Sequence, residues 1–308
     1  METPLYHLLD DERDNRIFIK RDDLIPVSFG GNKARKALYF YREIDRGGYD
    51  CVVTYGTSSS NHCRVIANLA RGRGLPCYII GPQEVSAPTA NSRMMELFGA
   101  RITLCPVDEV HDRIEQTLEQ LRREGKRPYF IQGGGHGNLG TQAYVDCYAE
   151  IRQFEKQNGI FFSQIFLASG TGTTQAGLVC GALLEAAPRR IVGISIARPN
   201  PRGRAVVVQS VEDYLREQGA FPGRDAVEQR VVFLDDYIGS GYATDAADVG
   251  RTIREVLERY GIPMDPVYVG KAFSGMKQQI AREGLTGENI LFLHTGGTPL
   301  FFDYLNRN

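Results

Sequence analysis

Short apolar runs of strand length alternate with helix-period segments along most of this 308-residue chain, and that alternation restricts the fold more than any other feature. CVVTY at 51–55 precedes a helical pattern over 61–74, CYII at 77–80 precedes 87–99, ARITL at 100–104 precedes 108–125, and PYFIQ at 128–132 precedes 137–158. The series continues with QIFLA at 164–168 before 175–187, RIVGISI at 190–196 before 203–218 and VVFL at 231–234 before 245–260, and it closes on NILFLH at 289–294. Repeated strand–helix units predict an α/β fold of open, mostly parallel, twisted sheets flanked by helices. A chain of this length more naturally makes two lobes than one. Glycine clusters at 30–31 and 133–137 are the expected crossing points, which gives a large domain of residues 1–45 and 146–308 and a small inserted domain of residues 46–145.

Composition narrows the partners. Lys+Arg 36 against Asp+Glu 37 leaves a net charge of −1, too little for a field that would draw nucleic acid or an anionic membrane surface. Cys51, Cys63, Cys77, Cys105, Cys147 and Cys180 are scattered, with no C-x-x-C pair and no zinc-like spacing, so a reducing cytoplasmic setting and no metal are expected. METPLYHLLDDERD turns acidic before a signal-like apolar stretch develops, and no apolar run approaches the roughly 18 residues of a membrane span. The expected partner is a small molecule.

Ligands of open α/β sheets bind beyond the carboxyl ends of the strands. Three such loops here are rich in Gly, Ser and Thr: GTSSSNH after 51–55, SGTGTTQAG after 164–168 and HTGGTP after 289–293. In the second, an apolar strand runs through glycines into a helix whose first N–H groups face the loop, which makes an anion cradle. There is no G-K-[ST] of a Walker loop. A dinucleotide fingerprint would need Gly or Ala where Gln175 stands, and the next strand ends at SIARP without an acid for a ribose hydroxyl. The hydroxyls of Thr171, Thr173 and Thr174 suit a terminal phosphate, although a tight βα turn with Ser/Thr capping would read the same way. In the first loop, Ser60 or Asn61 fits a helix N-cap, and Asn61 equally fits an amide donor to a ligand.

FGGNKARK at 29–36 crowds cations where a helix begins, the end that favours acids. Lys33 near that end, beside Arg35 and Lys36, is expected to have a lowered pKa, and a neutral amine is a nucleophile that forms Schiff bases with carbonyl compounds. Lys36 is then placed to help neutralise a phosphate. Lys271 is a rival lysine within a helical pattern, and His62, His136 and His294 fall in the candidate loops.

FGGNKARK, SSSNHCR, SGTGTTQAGL, DPVYVGKAFSGM and ILFLHTGGTPLFF occur in an order and spacing that resemble the pyridoxal-phosphate enzymes of the tryptophan-synthase-β type, fold type II. They look most like the 1-aminocyclopropane-1-carboxylate deaminase and D-cysteine desulfhydrase family, over about residues 10 to 305. The resemblance implies pyridoxal 5′-phosphate as cofactor, a small amino-acid substrate and a homodimer. It implies that Lys33 is the Schiff-base lysine and moves protons. It also implies that Asn61 bonds the cofactor's phenolic oxygen, that Ser60 lies by the substrate carboxylate with Ser59 and His62 near, and that Tyr268 is an active-site tyrosine. Lys36 with Thr171, Gly172, Thr173 and Thr174 resembles the phosphate site, and Thr295 the hydroxyl facing the pyridine nitrogen.

Within that family, deaminases that open a cyclopropane ring carry glutamate after the tyrosine, where this chain has Val269. With the neutral Thr295 at the pyridine nitrogen, the expected reaction is α,β-elimination from a D-cysteine-like amino acid to pyruvate, ammonia and the leaving group, sulfide for cysteine. Ser59 stands where family members commonly show glutamine, and Val269 is not the threonine expected of a D-cysteine enzyme. With Thr57 and His136, these positions are expected to border the substrate. β-Replacement, the cyclopropane deaminase reaction and a catalytically silent cofactor-binding protein are the alternatives.

Overall fold

In the computed structural model, residues 2–83, 87–238 and 247–306 are described. The chain opens with β1 (Leu5–Asp10) and β2 (Arg16–Arg21), then α1 (Asn32–Gly47), β3 (Cys51–Tyr55), α2 (Asn61–Gly72), β4 (Cys77–Pro82), α3 (Ala90–Leu97), β5 (Arg101–Cys105), α4 (Val110–Arg123) and β6 (Pro128–Ile131). It continues through α5 (Asn138–Asn158), β7 (Gln164–Ser169), α6 (Thr173–Leu184), β8 (Arg190–Ser195), α7 (Arg202–Glu217), α8 (Arg224–Arg230) and β9 (Val231–Leu234). It ends with α9 (Ala247–Tyr260), α10 (Val269–Glu283), β10 (Asn289–His294) and α11 (Thr298–Leu305). The start expected for α9 at residue 245 lies outside the described residues.

Two sheets result. One has the order β1-β2-β10-β7-β8-β9, parallel except for the β1–β2 pair, and the other, β5-β4-β3-β6, is parallel throughout. The α/β class expected from the alternation is what the chain forms. Parallel strands covered on both faces read as unbroken apolar runs, and QIFLAS in β7 is buried at every residue. The β1–β2 hairpin escapes that signal because β2 carries charge inward. Lys20 is 1% exposed, and its ammonium lies 2.7 Å from Glu150 of α5. Arg21 forms an ion pair with Asp23.

Gln175, which breaks the dinucleotide pattern, is a brace beneath the first sheet. Its Oε1 accepts from Ser169 Oγ at 2.9 Å, and its Nε2 donates to Val232 O at 2.7 Å and Ile191 O at 3.3 Å, so one side chain ties β7, β8 and β9. Gly193 lies against it and has no room for a Cβ. Replacing Gln175 with Leu strands a buried hydroxyl and removes the amide from two carbonyls, at about 1–3 kcal/mol for each group left unsatisfied. Urea denaturation is expected to show a loss of about 2–4 kcal/mol; a change under about 0.5 kcal/mol would mean the brace contributes nothing.

Candidate functional site

The parallel strands of both sheets deliver their C-terminal loops to one cavity of about 350 Å³. Its wall takes Tyr55–Thr57 from the end of β3, Gly133 and Gly134 after β6, Gly170 and Thr171 after β7, Ile196–Arg198 after β8, and Thr295–Gly297 after β10. Asn32 and Lys33 enter from the start of α1, Ser60–His62 from the start of α2, and Tyr268 from the start of α10.

The glycines before Lys33 have a steric cause. Gly30 has φ +64° and packs on the Asp23 carbonyl, while a Cβ at Gly31, φ +91°, would lie 2.7 Å from Thr295 O. Asn32 N donates to that same Thr295 carbonyl at 2.9 Å, and Asn32 Nδ2 donates to Thr174 Oγ1 at 3.0 Å. The first turn of α1 is thereby fixed to the loop after β10 and to the start of α6. Only glycine can pass through that gap.

Lys33 Nζ and Lys36 Nζ then meet at one atom, donating to Gly134 O at 3.3 and 3.2 Å. Neither forms an ion pair among the described residues, and Lys36 is 1% exposed. Burial lowers Lys33 to about 8; burial, then the proximity of Lys33, pulls Lys36 well below the usual lysine range. The lowered amine was expected, but its cause is desolvation rather than the run of neighbouring cations. Arg35 has turned to the far face of α1, where it pairs with Asp22 at 2.7 Å and Glu150 at 2.6 Å. Burial alone would raise the Asp22 carboxyl, but the Arg35 guanidinium outweighs it and holds that carboxyl low.

Hydrogen-bond accounting fixes two further groups. Asn91 donates to the Ser59 carbonyl at 2.7 Å, and the same Nδ2 meets Asn61 at 2.9 Å, so Asn61 presents Oδ1 to it and keeps its Nδ2 donor free. Thr54 spends its only hydrogen on Ile131 O at 2.7 Å, so its 2.9 Å contact with His62 must be Nε2–H donating. His62 Nδ1 is left without a partner. Burial, with Lys33 and Lys36 adding to it, pushes this imidazole well below its usual range, so it is a neutral acceptor.

The structure brings Lys33, Ser60, Asn61, His62, Thr171, Tyr268 and Thr295 to the cavity wall. Ser60 also caps α2, its Oγ accepting from Cys63 N at 3.1 Å. Lys36, Ser59, Gly172, Thr173 and Thr174 lie behind the wall. The Thr173 hydroxyl contacts His136 at 3.0 Å, and that of Thr174 accepts from Asn32 at 3.0 Å and keeps its own hydrogen to donate. The start of α6 also offers backbone: its N-cap is Gly172, φ +87°, and no side chain caps its first N–H groups. Val269, expected to border the substrate, is fully buried in an apolar cluster with Phe166 and Phe292, and His136 is not in the wall either. Lys271 donates to Ile196 O and Ile238 O, away from the cavity. His294 contacts Pro263 O at 2.8 Å, a structural bond.

Asn91, Tyr55, Arg198 and Asp265 were not singled out from sequence. Asp265 lies just behind Gly297 and braces the start of α10: Oδ1 accepts from Val267 N and Tyr268 N at 2.9 and 2.8 Å, and Oδ2 from Val269 N at 3.2 Å. No helix-start pattern marked it, because the helix begins at Val269 with Tyr268 as its N-cap and Asp265 holds the turn before it. Burial raises this carboxyl to about 7 against those three bonds. Among the described residues no Asp or Glu lines the cavity itself.

The Lys33 amine reacts only when neutral, so its modification by an amine reagent should rise with pH through a midpoint near 8, mapped by mass spectrometry on the apoprotein. A midpoint near the ordinary ~10.4 would mean the amine is solvated.

Comparison with known proteins agrees with this geometry. The family described as "Pyridoxal-phosphate dependent enzyme" matches residues 1–296. A D-cysteine desulfhydrase of Serratia proteamaculans is 32% identical over 316 residues, spanning 98% of this chain and 93% of that protein. A protein of Pyrococcus horikoshii provisionally named 1-aminocyclopropane-1-carboxylate deaminase is 35% identical over 307 residues, spanning 98% and 91%. A crystal structure titled as an ACC deaminase homologue superposes with a TM-score of 0.85 at 32% identity, covering 100% of this chain and 93% of that one. With its lysine pair on one carbonyl and its uncapped helix start at the same cavity, the chain belongs to the pyridoxal-phosphate-dependent enzymes of fold type II.

Proposed function

We propose that this enzyme catalyses α,β-elimination of a small β-substituted amino acid, D-cysteine or a close analogue, to pyruvate, ammonia and the leaving group. For cysteine that group departs as sulfide. The observation that carries this reading is the cavity wall, which among the described residues holds a lowered lysine amine and the neutral hydroxyl of Thr295 but no carboxylate. Bound pyridoxal 5′-phosphate supplies the electron sink that makes the substrate's Cα–H acidic. A neutral partner at its pyridine nitrogen makes that sink shallow, which favours loss of a β-substituent over longer carbanion chemistry.

The residues present fit the cofactor. Lys36 is a buried amine with no counter-ion among the described residues, and no side chain caps the N–H groups at Gly172–Thr174, so a phosphate dianion would restore the Lys36 charge and satisfy both. Lys33 Nζ would hold the cofactor covalently, and once the amino group of the substrate has displaced it the freed amine would take the Cα proton. Asn61, its orientation set by Asn91, has its Nδ2 amide left to donate to the cofactor's phenolic oxygen. Ser60 and the start of α2 receive the substrate carboxylate. Tyr268, held by Asp265, closes the wall opposite, and His62 offers a bare acceptor beside Lys33.

The cyclopropane deaminase reaction is the second reading, favoured by the Pyrococcus relative's name. We further propose a cytoplasmic homodimer, with residues 46–145 as the smaller lobe. Among the described residues no helix is long and apolar enough to cross a membrane.

The test is product analysis of the cofactor-loaded enzyme given D-cysteine, L-cysteine, β-chloroalanine or aminocyclopropanecarboxylate, each at substrate excess. Pyruvate from a β-substituted amino acid, lost by at least about 10³-fold in Lys33→Ala, is expected. Release of 2-oxobutyrate from the cyclopropane substrate in place of pyruvate from the others would contradict it.

A further inference from the structure

Arg198 lines the same cavity as Lys33 and is half-buried, yet its guanidinium has no hydrogen bond or ion pair among the described residues. Its own backbone is fixed, because its carbonyl accepts from Ser195 Oγ at 2.7 Å and packs on Gly203. Arg202 and Tyr55 act on it electrostatically, and it in turn acts on His136. Burial, then Arg202, weaken the guanidinium's hold on its proton, and Tyr55 opposes them. A guanidinium kept beside a second cation, in a wall whose described residues include no acid, is incomplete until an anion arrives.

On the elimination reading above, three anionic groups enter this site, and two already have places. The phosphate has the start of α6 with Lys36, and the α-carboxylate has the start of α2 with Ser60. The third is the β-substituent, which departs with the electron pair of the Cβ–X bond while the Cα proton passes to Lys33. We infer that Arg198 reads the β-substituent. The site therefore takes small amino acids whose β-group is negatively charged, a thiolate among them, in preference to neutral groups of the same size. Arg198 comes from the loop after β8, and Tyr55 next to it comes from the end of β3, so the two sheets together frame that subsite.

Aspartate and asparagine differ in β-charge at nearly equal size and carry no good leaving group, so binding can be read apart from turnover. Calorimetric titration of the cofactor-loaded enzyme with each, in both configurations, is expected to show aspartate held about tenfold more tightly in the preferred configuration, about 1.4 kcal/mol. Arg198→Gln should bring that ratio to about one while leaving asparagine affinity and cofactor absorbance unchanged, and Arg198→Lys should keep part of it. A ratio near one in the unmodified enzyme would overturn the inference. So would an Arg198→Gln effect equal for both amino acids, which would place the guanidinium on the α-carboxylate, or a loss of bound cofactor, which would place it on the phosphate. The elimination reading is checked separately with β-chloroalanine: no pyruvate there, with aspartate discrimination intact, sinks the elimination and leaves the assignment of Arg198 standing.

Discussion

Two buried lysine amines on a single backbone carbonyl, with no ion pair to either among the described residues, are the condition the rest of this site is built around. Lys33 and Lys36 lie three residues apart on α1, hence on one face, and both reach Gly134 O. Burying one unpaired ammonium costs several kcal/mol, and a protein normally avoids a second close by. Both amines therefore sit well below their ordinary pKa, which leaves Lys33 ready as a nucleophile near neutral pH. An incoming phosphate dianion reverses the balance for Lys36 by favouring its charged form.

That arrangement depends on holding α1 rigidly. On its far face, Arg35 bridges Asp22 and Glu150, with the Tyr144 hydroxyl donating to Asp22 at 2.7 Å, so the helix is anchored to the end of β2 and to α5. At its start, Gly30 and Gly31 pass between the Asp23 carbonyl and the loop after β10, and Asn32 ties the turn to α6. The basic residues of FGGNKARK thus divide by direction: Arg35 is structural, and Lys33 and Lys36 both turn to Gly134 O. Their crowding at a positive helix end makes physical sense only with an anion present.

The fold class was legible because the parallel strands are covered on both faces and read as plain apolar runs. The β1–β2 hairpin was not, because Lys20 and Arg21 are buried in ion pairs that hydropathy counts as surface. The three strand-end loops and Lys33, Asn61 and Thr295 could be picked out, since a ligand loop is written locally in Gly, Ser, Thr and Asn. Direction within a helix turn was harder. The i, i+3 spacing of Lys33 and Lys36 already separated them from Arg35, whereas the turning of Thr173 and Thr174 toward His136 and Asn32 depends on distant partners. Asn91, thirty residues from Asn61, and Arg198, in an unremarkable SIARP, act through packing that no local pattern records.

The most direct test compares the thermal stability of the apoprotein with pyridoxal phosphate and with pyridoxal, which keeps the aldehyde but lacks the phosphate, in the native chain and in Lys36→Gln. The charge account predicts a rise in Tm of several degrees that requires the phosphate and falls by at least half in Lys36→Gln, since ligand binding to the folded state alone is what shifts Tm. Equal stabilisation by pyridoxal, or full retention of the phosphate effect in Lys36→Gln, would contradict the claim that an uncompensated lysine pair organises this site.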